Sequence, residues 1–154
     1  MLQILHQAKM NTQPVIVERV FDASVPKVWE ALTDIEQVRQ WYFDLPEFKA
    51  RVGFEFQFYG GKDDNTQYLH LCKITEAVPE KKLAYTWRYD GYPGISTVYF
   101  ELFKEGNTTK LKLTHSGLEN FGTSNPDFAK EEFILGWTFF LNDSLNEYLE
   151  NSSK

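Results

Sequence analysis

The sequence has a single cysteine, Cys72, among 154 residues, so it cannot form an internal disulfide. We therefore predict a reducing compartment and a cytoplasmic protein. No apolar run approaches the ~20 residues that a membrane-spanning helix needs. Basic surface is also scarce, because the net charge is −6 and the longest basic cluster is Lys81-Lys82. These shortages argue against nucleic acid and an anionic membrane as partners.

Motifs for metal or nucleophilic chemistry are missing as well. The spacings among His6, His70, Cys72 and His115 match no metal-ligand motif. His115 and Ser116 are neighbours, and neighbours on a strand point to opposite faces. We predict no metal, no cofactor and no catalytic residue, which favours a binding protein over an enzyme.

Aromatic residues are abundant: thirteen Phe, eight Tyr and four Trp make up 16% of the chain. A large aromatic core would explain them, and so would an aromatic-lined cavity. Composition does not separate these two interpretations.

The first half of the chain predicts one strand, two short helices and then more strands. Residues 14–22 are rich in β-branched residues and indicate a strand. Ser24 followed by Pro26 is a helix-start pattern, which predicts a helix over 26–33. Asp34 can cap a second helix that runs to about Gln40.

From Lys49 the apolar pattern has a period of two, which predicts five strands joined by short turns. Val52, Phe54, Phe56 and Phe58 share one face of the first of them. His70 lies on the next strand. The pattern does not decide which face of that strand is buried, because leucines occupy one face and Cys72 and Ile74 occupy the other.

The tail returns to a period of 3.6, which predicts one helix over 126–150. Phe133, Trp137, Leu141, Leu145 and Tyr148 form its apolar stripe. We expect a disordered tail over 1–12, one domain over 13–150 and a short tail over 151–154. Met10 is an alternative start, and the first ten residues do not resemble a signal peptide.

Six strands joined by hairpin-length turns predict an antiparallel sheet, and only one long helix is available to cover its apolar face. The fold class is therefore α+β: a curved six-stranded antiparallel sheet, two short helices after the first strand, and a long C-terminal helix across the sheet. Such an arrangement leaves room for a pocket between helix and sheet.

Six segments, in order along the chain, resemble one known family. They are residues 18–34, Gln40-Trp41, residues 52–56, residues 83–87, residues 109–117, and Gly136-Trp137. The opening segment resembles the SRPBCC superfamily, and the later ones are similar to the activator of heat-shock-protein ATPase homolog-like proteins (Aha-type, C-terminal domain). The resemblance covers roughly 15–150.

The resemblance implies a helix-grip fold, as in START lipid-transfer domains and the birch-pollen allergen class. It does not imply one function, because the superfamily includes ligand carriers, polyketide cyclases and stress-related co-chaperone domains. Eukaryotic activators carry a separate N-terminal domain that contributes much of their chaperone contact, whereas nine residues precede Met10 here. We therefore rank a chaperone contact below ligand binding.

Periodicity directs several large side chains toward the helix–sheet interface, where a few polar groups meet an apolar wall. The predicted ligand-binding residues are Phe54, Phe56, Tyr85, Trp87, Phe100, His115, Phe133, Trp137 and Leu141. For His115, a hydrogen-bonded core position or a strand-end position is the alternative to lining the pocket.

The expected function is binding of a small hydrophobic or aromatic ligand. A stress-related co-chaperone-like interaction domain and a polyketide-cyclase-like enzyme are the alternatives. A homodimer formed through an exposed strand edge is a further arrangement that the strand order allows.

Overall fold

One antiparallel sheet of six strands forms the frame of the computed structural model, which describes residues 12–152. In chain order the strands are β1 (Val15–Phe21), β2 (Glu55–Asp63), β3 (Thr66–Val78), β4 (Lys82–Tyr89), β5 (Ser96–Glu105) and β6 (Thr108–Ser116). Their order in the sheet is β1-β6-β5-β4-β3-β2. The predicted antiparallel sheet is confirmed. β1 pairs with the last strand while the other neighbours are consecutive hairpins, so β2 and β1 form the two edges.

Two short helices follow β1, as the sequence predicts. The first, α1 (Val25–Thr33), begins at Ser24, whose hydroxyl accepts a hydrogen bond from the Lys27 N–H at 3.4 Å. The second is α2 (Ile35–Trp41). The indole N–H of Trp41 donates to the Ala31 carbonyl oxygen at 2.7 Å. This buried bond ties the end of α2 back onto α1.

The C-terminal helix begins later than predicted. Pro126–Phe128 forms a separate 3₁₀ turn, and Ala129 is extended with φ −69° and ψ 148°. The helix then runs through α3 (Lys130–Thr138), a π-helical segment (Phe139–Leu145) and α4 (Asn146–Ser152). We call these three pieces together the C-terminal helix, residues 130–152. It packs across the concave face of the sheet, as expected.

Alternation correctly predicts which face of most strands is buried. Leu83, Tyr85, Trp87 and Tyr89 of β4 are all at most 5% exposed. The prediction for the start of β2 is wrong in part. β2 begins at Glu55, because Gly53 turns the chain with φ +91°, and Val52 before it is 64% exposed.

The ends of the chain are only partly described. The predicted tail over 1–12 lies outside the described residues except for Thr12, and so do residues 153 and 154. Asn151 and Ser152 form the end of α4. Among residues 12–152, no helix is both long enough and apolar enough to cross a membrane.

Candidate functional site

A pocket of about 500 Å³ lies between the C-terminal helix and the strands β2, β3 and β4. Aromatic rings make up most of its wall. The sheet contributes Tyr68, His70, Trp87 and Tyr89, and the helix contributes Phe133, Trp137, Phe139 and Phe140. Phe43, just after α2, and Phe128 in the 3₁₀ turn complete the wall. This size and apolar character fall within the range of small-molecule sites, which is roughly 300–1,000 Å³.

His70 is the buried polar side chain of the pocket wall. It lies on β3 opposite Phe58 of β2, and its ring stacks on the Phe58 ring with centroids 4.5 Å apart. Its Nδ1 lies 2.9 Å from the Tyr68 carbonyl oxygen. Burial lowers the pKa of His70 to about 4, and the carbonyl groups of Tyr68 and Phe58 offset part of that shift. The ring is therefore neutral near pH 7.

A second buried histidine supports the wall from behind. The Trp137 indole N–H donates to His115 Nδ1 at 3.0 Å. The Ser96 hydroxyl lies 2.8 Å from His115 Nε2 and donates its own hydrogen to the Trp87 carbonyl oxygen at 3.0 Å. His115 Nε2–H must therefore donate to Ser96 Oγ. Both ring nitrogens are satisfied within the protein, and burial lowers the pKa of His115 to about 3.

Two glycines shape the space. At Gly136, on the pocket side of the helix, an added Cβ would meet no atom within 4 Å, so this position faces open volume. At Gly60 of β2, an added Cβ would lie 2.5 Å from Cε1 of Phe43 and 3.2 Å from Cε1 of His70. Gly60 therefore allows both rings to approach the strand, and Gly136 leaves the opposite side empty.

The pocket mouth carries charged and polar groups. Lys62 Nζ lies 3.0 Å from Asp127 Oδ1 and 3.8 Å from Glu132 Oε1. The Tyr68 hydroxyl donates to Asp127 Oδ2 at 2.6 Å. These hydrogen bonds, first from Tyr68 and then from Lys62, lower the pKa of Asp127. The result is a polar bridge between the β2–β3 hairpin and the start of the C-terminal helix.

Three of the nine sequence-predicted site residues line this pocket: Trp87, Phe133 and Trp137. The structure brings them together from β4 and the helix, as periodicity predicts. The rings of Trp87 and Trp137 lie 5.6 Å apart in an edge-to-face arrangement.

The other six lie elsewhere. Tyr85 and Phe100 border a void of only about 10 Å³ beneath α1 and α2. Phe56 packs against Phe48 and Tyr85, and Phe54 lies beneath the Arg51 guanidinium at the start of β2. Leu141 and His115 are fully buried behind the wall.

The middle of the interface is filled because Tyr42 enters it. Its ring stacks on Trp137 with centroids 6.0 Å apart, and its hydroxyl lies 2.8 Å from the Tyr85 hydroxyl. Burial raises the pKa of both tyrosines. The open volume is consequently displaced toward the β2–β3 hairpin.

Sequence reasoning missed several wall residues, notably Phe43, Tyr68, His70 and Tyr89. Alternation along β4 places Tyr89 on the buried face of that strand but gives no sign that it lines a pocket. His70 could have been assigned from its alternation with Cys72 and Ile74, both of which are buried. Phe43 belongs to no periodic segment, so no pattern places it. Within residues 12–152, no group of three His, Cys, Asp or Glu side chains could hold a metal ion.

Comparison with known proteins supports the architecture. A family model described as Activator of Hsp90 ATPase homolog 1-like protein matches residues 22–150. No curated protein matches the chain.

Several solved structures are similar over nearly the whole chain. CalU16 from Micromonospora echinospora is 27% identical with a TM-score of 0.68, covering 88% of this chain and 74% of that one. MLL2253 from Mesorhizobium loti is 26% identical with a TM-score of 0.72, covering 90% and 98%. BH1534 from Bacillus halodurans is 26% identical with a TM-score of 0.69, covering 88% and 95%.

Proposed function

Because the chain belongs to the Activator of Hsp90 ATPase homolog 1-like family, within the SRPBCC superfamily and its helix-grip fold, we propose that it binds a small aromatic ligand in the helix–sheet pocket. The observation that carries the proposal is the pocket of about 500 Å³ walled by aromatic rings, with the buried His70 among them. The pocket is large enough for a molecule of two or three fused rings, which would stack on or meet the edges of those side chains.

The wall is held in place before any ligand arrives. Trp137 is fixed by its bond to His115, and Ser96 links that histidine to the backbone of Trp87. A preformed wall loses little conformational freedom when a ligand enters, which favours binding. Leu135 and Phe139 at the opening are 65% and 54% exposed, so part of the entrance is apolar.

The helix position Gly136 also supports a binding role. Glycine inside a helix destabilises it by about 0.5–1 kcal/mol relative to alanine. Here the missing side chain leaves open volume in the pocket rather than allowing a close backbone contact. The proposed ligand would occupy that volume.

The test fills the pocket from this position. Calorimetric titration with 2-methylnaphthalene, a two-ring apolar probe, should show saturable binding to the unmodified protein. Gly136→Phe should remove that binding, because the new ring projects into the pocket. Ile134→Phe is the matched control, since Ile134 lies on the same helix, is 41% exposed and does not line the pocket. Absence of binding to the unmodified protein, or equal binding to both variants, would contradict the proposal.

A further inference from the structure

We infer that His70 Nε2 is a hydrogen-bond acceptor that selects aromatic ligands carrying a hydroxyl or N–H donor. This inference rests on the proposed function and names the ligand class of the same pocket. It arises from a contrast between the two buried histidines. His115 has partners within the protein on both nitrogens, whereas the polar neighbours of the His70 ring are two carbonyl oxygens, that of Tyr68 at Nδ1 and that of Phe58 near the ring.

The tautomer of His70 follows from its Nδ1 contact. A carbonyl oxygen can only accept, so Nδ1 must carry the hydrogen that it donates to the Tyr68 carbonyl at 2.9 Å. In the neutral ring, Nε2 then has a lone pair and no hydrogen. The Phe58 carbonyl near the ring cannot satisfy that lone pair, because it too is an acceptor.

The Nε2 lone pair must reach open space. Among residues 12–152, every fully buried side-chain nitrogen or oxygen has a hydrogen-bond partner. Nε2 has no donor partner there, so it is not fully buried, although His70 as a whole is only 4% exposed. Since His70 lines the pocket, we place the accessible Nε2 there.

Packing holds the ring in this orientation. The His70 ring stacks on Phe58 and meets Trp87 edge-to-face, with centroids 4.9 Å apart. Rotating the ring would break the bond to the Tyr68 carbonyl and leave a buried donor unpaired, which is unfavourable. A pKa of about 4 makes the ring a weak base near pH 7. His70 is therefore suited to accept a hydrogen bond rather than to remove a proton.

The experiment compares three probes of nearly equal shape by calorimetric titration. 2-Naphthol can donate a hydrogen bond, 2-methoxynaphthalene can only accept one, and 2-methylnaphthalene can do neither. The unmodified protein should bind 2-naphthol about two- to tenfold more tightly than 2-methylnaphthalene, the typical net effect of one hydrogen bond. It should show no such preference for 2-methoxynaphthalene. In His70→Phe the affinity ratio of 2-naphthol to 2-methylnaphthalene should fall to about one.

A spectroscopic measurement on the unmodified protein keeps the inference testable if that variant does not fold. Adding 2-naphthol, but not 2-methylnaphthalene, should shift the ¹⁵N resonance of His70 Nε2 toward the hydrogen-bonded value. The Nδ1 resonance of His115 is the internal reference, because its partner is already Trp137.

The outcomes separate the two proposals. If 2-naphthol and 2-methylnaphthalene bind equally and the His70 resonance does not move, the inference is overturned and the pocket proposal stands. Preferential binding of 2-methoxynaphthalene would show that the ring donates, which also overturns it. If no probe binds, the proposed function fails and this inference fails with it.

Discussion

Acidification from pH 8 to pH 5 should destabilise this protein well before its carboxylates protonate. Both His70 and His115 are buried and neutral, with pKa values of about 4 and about 3 against the ordinary value of 6.5. As the pH falls, a histidine with a lowered folded-state pKa is protonated in the unfolded chain at a higher pH than in the folded protein. Its contribution to stability is complete above pH 6.5 and is lost as the pH falls from there toward 4 and 3.

The magnitude follows from these values. At pH 5 the unfolded form of each histidine is almost fully protonated, whereas the folded form is still almost fully neutral. Each ring should therefore lower the free energy of unfolding by about 2 kcal/mol between pH 8 and pH 5, or about 4 kcal/mol for the pair. The result depends little on the folded values, provided that both lie near or below 4.

Urea denaturation at pH 8, 7, 6 and 5 would measure the effect. A background with His6→Gln removes the histidine outside the described residues. Adding His115→Gln should lower stability at pH 8, since it disturbs the Trp137–His115–Ser96 bonds, but should reduce the pH-dependent loss to about 2 kcal/mol. A total loss below about 1 kcal/mol in the unmodified protein, or a His115 resonance that titrates near pH 6.5 in the folded state, would refute the reasoning.

Two further substitutions test the packing around the pocket by the same urea denaturation. Trp137→Ala should cost about 3–5 kcal/mol of stability, because the side chain is 3% exposed and also bonds His115; a loss below about 1 kcal/mol would mean that it does not pack as described. Gly136→Ala should stabilise the protein by about 0.5–1 kcal/mol, because the new methyl group meets no atom and alanine favours the helix; destabilisation would mean that the space beside Gly136 is filled.

The strands, their buried faces and the C-terminal helix could be predicted because the apolar residues of the sequence recur with a regular period. Alternation in β4 and β6 assigns each side chain to a face without knowledge of its neighbours, and Leu111, Leu113 and His115 are indeed fully buried. Short turns between strands then leave few topologies. For the same reason periodicity predicts that Trp87 and Trp137 both face the helix–sheet interface, where their rings lie 5.6 Å apart.

No periodic pattern of apolar residues predicts where along that interface the pocket lies. It depends on Tyr42 and Phe43, which follow α2 in irregular backbone and fill the middle of the interface from the side. The role of His115 depends on a hydrogen bond from another element, Trp137, and on the tautomer which that bond selects. Such features arise only when elements that are distant in sequence meet.

The π-helical segment explains an unusual spacing in the C-terminal helix. The buried residues Phe133, Trp137, Leu141, Leu145 and Leu149 recur at every fourth position. In a regular α-helix four residues turn about 400°, so this series would drift around the helix by about 160° over its length. The wider π turn, with its i→i+5 bonds, reverses part of that drift and keeps all five residues buried.

The wide turn therefore contains one residue more than a regular α-helical turn needs. Removing the exposed Asp143 would let this stretch close to regular α geometry while Leu141 and the residues beyond it kept their contacts. A deletion of one residue can thus be absorbed here, inside a packed helix, where it would ordinarily rotate everything that follows out of the core.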